Sequence, residues 1–202
     1  MKKLLIIILC LPLLFSCGGG DNGLSIGDAY QGGIIFYLDG KGGGLIAAPS
    51  DQSSAAAWDA WNSSDGFSDI SGADGVAIGT GSQNTLDILS GCTSPGIAAD
   101  ICANLTLGGY SDWFLPSKDE LYKMRLNIGQ GNALGLGNIG DFKEGITEKL
   151  WDKQELRDRK NILYWSSSQY NIIGAYYQDF WSGNQGFHPK NEIYYVRAIR
   201  SF

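Results

Sequence analysis

"GGYSDWFLPSKDEL", residues 108–121, sets aromatic residues, a proline and a helix-start signal side by side in a glycine-rich chain. Trp113, Phe114 and Leu115 form an apolar cluster, and Pro116 holds the residue before it extended. Ser117 and Glu120 stand at capping-box spacing, where the serine oxygen accepts from the N3 amide and the glutamate reaches back. The pattern predicts a strand-to-helix corner. The helix should begin at Lys118, bury Leu121, Met124 and Ile128, and stop at Gly129. As a nucleophile Ser117 has no base at hand in the motif, so the stretch reads as a folding device.

The flanking sequence extends this to an α+β domain of short antiparallel strands, a few helices and long irregular loops. "GIIFYLDGKGGGLIAAP", residues 33–49, gives two apolar runs around a glycine-rich turn. This predicts a hairpin with strands over 34–38 and 44–48. Residues 50–83 read as mostly irregular, with Trp58 and Trp61 three apart on one short helical turn. "NTLDILSGC" (84–92) and "SPGIAADICANL" (94–105) read as short helices, the second with Ser94 at the N-cap and Pro95 at N1. Residues 129–161 combine a glycine-rich loop with "EKLWDKQELRDRK" (148–160), a solvated rim helix in expectation. The last third, "ILYWSSSQ", "AYYQDFWSGNQG" and "EIYYVRAIRSF", predicts three consecutive antiparallel strands.

The N-terminus speaks to destination. Lys2 and Lys3 precede an apolar run over residues 4–15, a secretory signal in charge pattern and length that is too short for a membrane span. "LFSC" at 14–17 resembles the lipobox of bacterial lipoproteins, although Phe15 stands where a small residue is usual. The reading makes residues 1–17 a lipoprotein signal including the lipidated Cys17, palmitate among the acyl chains such a cysteine carries, and residues 18–26 a flexible tether. Acyl chains contribute about 0.8 kcal/mol per buried methylene, so several of them anchor a protein stably. Gly18 lacks the aspartate that resembles an inner-membrane retention signal, which favours the outer membrane.

Removal of the signal takes away Cys10, and lipidation uses Cys17, leaving Cys92 and Cys102. In an oxidising compartment two thiols suggest one disulfide, with a buried free pair as the alternative. Loss of Lys2 and Lys3 leaves 13 basic against 21 acidic side chains, a net charge of −8. An acidic domain without a basic stripe excludes nucleic acid as a natural partner.

"GGYSDWFLPSKDEL" followed by "YWSSSQ", "FWSGNQ" and a terminal "YYVRAIRSF" resembles the DUF1566 family, which includes the C-terminal domain of the Legionella collagen-like adhesin. The likeness runs from about residue 27, making 27–202 one domain with 129–161 as an insertion or rim loop on the ligand-facing side. It implies a C-type-lectin-like fold, distantly related to the formylglycine-generating enzyme domain. Trp113, Pro116, Ser117, Glu120, Trp165 and Arg197 then make up the structural motif. The calcium-dependent sugar site of true C-type lectins needs "EPN" or "QPD" and "WND" motifs, which are absent; "WNSSDG" at 61–66 has acidic oxygens in another place and order. No cofactor or metal is implied.

Fold membership does not transfer an activity. One reading is a surface binding module for a glycan or protein ligand, with Trp181, Tyr177 and Trp58 as stacking platforms beside the amides of Gln178, Asn184 and Gln185. The competing view of each aromatic is that it fills the core. A second reading is a passive component of a surface assembly. The third, a hydrolytic enzyme, has little material: the single histidine, His188, precedes a proline, and Asp179 and Asp112 are not selected as a glycosidase-like pair by any spacing.

Overall fold

In a computed structural model, which describes residues 23–60, 67–92, 94–144 and 162–202, the corner at residue 117 forms as the motif predicts. Helix α3 (Lys118–Ile128) starts with a complete capping box and ends at Gly129, with Leu121, Met124 and Ile128 buried. Two helices precede it, α1 (Gly81–Gly91) and α2 (Ala98–Ala103). The strands are β1 (Ala29–Tyr30), β2 (Gly33–Leu38), β3 (Gly44–Ala47), β4 (Ser53–Ala57), β5 (Leu163–Gln169), β6 (Gly174–Asp179), β7 (Gln185–Pro189), β8 (Ile193–Val196) and β9 (Ile199–Ser201). The architecture is α+β, with short strands and long connections.

The strands form two sheets, ordered β1-β2-β3-β9 and β4-β8-β5-β6-β7. The hairpin β2–β3 pairs Ile35 with Ile46, as its alternating apolar runs require. Trp113, Phe114 and Leu115 run beside β9, and Phe114 exchanges backbone hydrogen bonds with Ile199 at 2.8 and 2.9 Å. The apolar cluster of the motif thus extends the first sheet before Pro116 turns the chain into α3. The glycine pair opening the motif has a steric reason. Gly108 adopts φ +64°, and a Cβ there would lie 2.7 Å from Gly32 Cα.

Two apolar clusters share the interior. One gathers Trp58, Ile88, Ala99, Trp113, Trp165 and Val196 among others, beneath α1 and α2. The second packs α3 through Leu121, Met124 and Ile128 against Phe36, Phe142, Tyr164 and Phe180. Each buried indole N–H among the described residues finds a carbonyl: Trp58 donates to Ser166 O (2.8 Å), Trp165 to Ala56 O (3.0 Å) and Trp113 to Leu107 O (3.3 Å).

Several expectations need correction. Residues 53–57 are a strand, not irregular chain, because β4 is recruited by β8 through Ala56–Tyr194 pairing. Trp58 follows that strand and is fully buried rather than on a helical turn. Ser94 and Pro95 do not start α2. Gly96 takes φ +76°, Ile97 is the N-cap, and Asp100 Oδ2 accepts from Gly96 N at 2.7 Å. The terminal run is not one strand: it divides into β8 and β9 on different sheets, and β8 lies parallel to β5. Arg197, at the switch, is drawn inward by Asp51. Leu24 and Ile26, assigned to the tether, pack against the core. Cys92 and Cys102 are free buried thiols. Cys92 turns its Sγ to Asp59 Oδ1 at 2.8 Å instead, and Cys102 is enclosed in apolar surroundings that push its thiol pKa up. Cys17, residues 1–22, Trp61 with the rest of "WNSSDG", and the expected helix over 148–160 lie outside the described residues.

Candidate binding site

The "DFWSG" segment places an exposed indole at the edge of a cleft. Phe180 is fully buried against Phe142 and Tyr164, with ring centroids 4.6 and 4.4 Å away, while its neighbour Trp181 turns outward and is 39% exposed. The turn carrying Trp181 is held from within. Asp179 Oδ1 accepts from Trp181 N (2.9 Å) and Ser182 N (3.2 Å), and Oδ2 accepts from the Ser182 hydroxyl (2.5 Å). Arg125 of α3 supports it from below, donating from Nε to Phe180 O at 2.9 Å. Gly183, at φ +84°, lets the guanidinium in; a Cβ would lie 2.9 Å from it.

Trp181 borders a cleft of about 370 Å³ whose opposite wall is the loop following α3, with Gln130, Asn132, Asn138 and Glu144. A second cleft of about 360 Å³ shares Asn138 and Glu144 and continues to Asp51, Asp141, Phe142 and Lys143. The two clefts adjoin along Asn138 and Glu144 as a trough with both polar and apolar walls. Its loop wall is fixed despite its glycines: Gly140 N donates to Ile128 O (2.8 Å), and Asn138 brackets Phe142 by accepting from its N–H and donating to its carbonyl. Phe142 inserts into the α3 core with the Arg197 guanidinium 4.2 Å above its ring.

Arg197 is fully buried and satisfied by Asp51 Oδ1 (2.7 Å), Ala48 O (2.9 Å) and Gly140 O (2.7 Å). It therefore ties the trough loop to both sheets. Burial raises the Asp51 carboxyl, opposed by the Arg197 charge, and raises the Tyr164 hydroxyl that donates to Asp51 at 3.0 Å.

Of the six sequence-predicted ligand residues, Trp181 faces this trough and Asn184 is exposed on the same turn. Tyr177 is half-buried, 4.5 Å from the His188 ring and 6.0 Å from the Tyr194 ring. Gln178 is fully buried, donating to Asp179 O and Asn184 O. Gln185 donates to Lys118 O at 2.9 Å. Trp58 is buried beneath Lys190 Nζ, 4.5 Å from its ring, and offers no platform. Asp112 pairs with Arg200, and Asp179 is committed to its turn. The amides beside the indole are thus Gln130, Asn132 and Asn138. The signal for them was their interleaving with glycines in "GQGNALGLGN", within the segment expected on the ligand-facing side.

Another polar cluster is closed. Buried Lys190 donates to Ser68 O and Gln169 Oε1, both at 2.6 Å, and desolvation lowers its pKa to about 8. Among the described residues no group of three or more histidine, cysteine, aspartate or glutamate side chains could hold a metal ion.

The family described as the Lcl C-terminal domain matches residues 49–200. No curated protein matches the chain.

Proposed function

Because the chain belongs to the Lcl C-terminal domain family, an adhesin-like module, we propose that it is a recognition domain that binds a surface glycan or protein ligand in the trough beside Trp181. The observation that carries this reading is a partly exposed indole on a rigid turn, bordering a cleft that also carries amide and carboxylate side chains. Sugar rings stack on such faces while amides and carboxylates meet their hydroxyls. Recognition rather than catalysis is the proposal, and the occupation of His188 by Tyr194 and of Asp112 by Arg200 supports it. Pull-down and glycan-array binding of the purified protein, compared with Trp181→Ala, tests it. Equal binding by both proteins on every ligand found would refute the site.

Export and anchoring through Cys17 to the outer membrane complete the proposal, resting on the "LFSC" signal. Cys17→Ala should abolish labelling by a fatty-acid probe and move the protein from the detergent to the aqueous phase. Unchanged labelling and partitioning would rule the anchor out.

A passive place in an assembly has one observation of its own. Tyr170 and Phe187 stack at 3.8 Å on the surface, next to exposed Ile172 and Ile173. Such a patch suits contact with another protein.

A further inference from the structure

The loop after α3 also carries side chains that line neither cleft. Residues 129–140, "GQGNALGLGNIG", hold no charged side chain although the protein is acidic. On this loop Leu134 is 52% exposed, and Leu136 and Ile139 are 38% exposed each. Single exposed apolar residues are ordinary, whereas three on one uncharged loop make a contact surface. The loop is braced from within: Ala133 N donates to Leu126 O at 2.8 Å, and Gly137 N donates to Asn132 Oδ1 at 2.7 Å.

Its place beside the N-terminal segment points to what covers it. Gly27 lies against the loop, since a Cβ there would sit 3.0 Å from Ile139 Cδ1 and 3.2 Å from Leu136 Cδ1. The described chain begins just upstream at Gly23, and six positions before that stands Cys17. Six residues reach at most about 20 Å when fully extended. Resting on the lipid anchor proposed at Cys17, we infer that Leu134, Leu136 and Ile139 form a membrane-contact surface that seats the domain on the bilayer holding its acyl chains. A short tether supplies a high effective concentration, so a small apolar patch suffices where a free protein would need far more. The uncharged loop suits neutral headgroups, which do not repel an acidic domain as anionic lipids do. Gly137 and Asn138 of the same loop line the cleft beside Trp181, so seating holds that cleft at headgroup height.

The test places a polarity-sensitive thiol dye at Leu134→Cys in the full acylated chain, reconstituted in phosphatidylcholine vesicles. The same dye at Ile173→Cys probes the other exposed apolar patch, and the unsubstituted protein, whose Cys92 and Cys102 are buried, gives the background. The dye at residue 134 should shift to the blue and be quenched by brominated lipid, and the dye at residue 173 should do neither. Adding Cys17→Ala should return the dye at residue 134 to its aqueous emission, and adding Leu136→Asp should weaken the quenching with acylation intact. Aqueous emission from residue 134, in protein that carries a fatty-acid label and floats with the vesicles, overturns this inference and leaves the anchor standing. Lipid quenching at residue 173 in place of residue 134 overturns it as well. A full chain without the label that fails to float defeats the anchor, and this placement falls with it.

Discussion

At the N-terminal end of α3, the Ser117 hydroxyl donates to Ala77 O at 2.8 Å, and the Glu120 oxygens accept from Ser117 N and Gly79 N, both at 2.7 Å. At the C-terminal end, sixteen Å or so along an eleven-residue helix, Gln130 Oε1 and the Asp141 carboxylate have no hydrogen-bond partner among the described residues. Both ends are polar loops rich in glycine. The first is a closed network, with Ser167 N on Pro116 O and Ser168 Oγ on Gly75 O completing it, and it determines where the helix sits. The second spends its hydrogen bonds on holding a wall and leaves the Asp141 carboxylate beside a cleft. Closure marks polar groups that build the fold.

Breaking the closed end should cost most. Trp113→Ala removes a buried indole beside the corner and should destabilise by about 3–5 kcal/mol, read from chemical denaturation. Wild-type stability for this variant together with lost ligand binding would make the motif itself the site. Gly81→Ala places a Cβ 2.2 Å from Glu120 Oε2 and 2.8 Å from Ser117 N. That overpacking should cost about 1–3 kcal/mol by the same measurement. Ser117→Ala loses the acceptor of Glu120 N and should cost about 1 kcal/mol.

The closed end also has a pH signature. Burial raises the Glu120 carboxyl above its ordinary 4.5, outweighing the lowering by bonds from Ser117, Gly79 and Gly81. The folded state therefore holds this proton to higher pH than the unfolded chain. Its stabilising contribution is complete below 4.5 and is lost as pH rises through the folded value. Wild-type stability measured relative to Glu120→Gln should fall across that window, and a difference independent of pH would show that the shift is absent. The smallest stability effect belongs to the open end. Trp181→Ala should leave the melting temperature nearly unchanged while removing ligand binding, and a large loss of stability would place Trp181 among the core residues instead.

The same contrast explains what was legible in the sequence. The capping box and the β2–β3 hairpin are local: the residues that decide them lie within a few positions of one another, so spacing suffices. Strand β4, "SSAAA", carries little β-propensity and exists because β8, over a hundred residues later, pairs with it. The start of α2 was misplaced because Ser94 and Pro95 have the right chemistry, yet Asp100 and the positive φ of Gly96 delay the helix. The site was half legible. Outward Trp181 beside buried Phe180 follows the "DFWSG" turn, whereas its neighbours Gln130 and Asn138 arrive from the far end of α3. Gln178 and Trp58 had suitable side chains, but their burial is decided by tertiary packing that no local pattern states.

Strand β9 lies between β3 and the Phe114 bridge, and Phe202 exchanges backbone hydrogen bonds with Gly44. The first sheet therefore joins chain segments separated by more than 150 positions, with Leu45 opposite Ser201. Loops of that span must close before the pairing that rewards them, which places this domain among slow folders. The corner of α3 has no registered neighbour on its sheet side until the last strand arrives. Nascent chains can thus form the capped helix early but cannot lock it, and they stay open for as long as the C-terminal strands are unmade. For a chain proposed to cross a membrane before folding, late locking is an advantage.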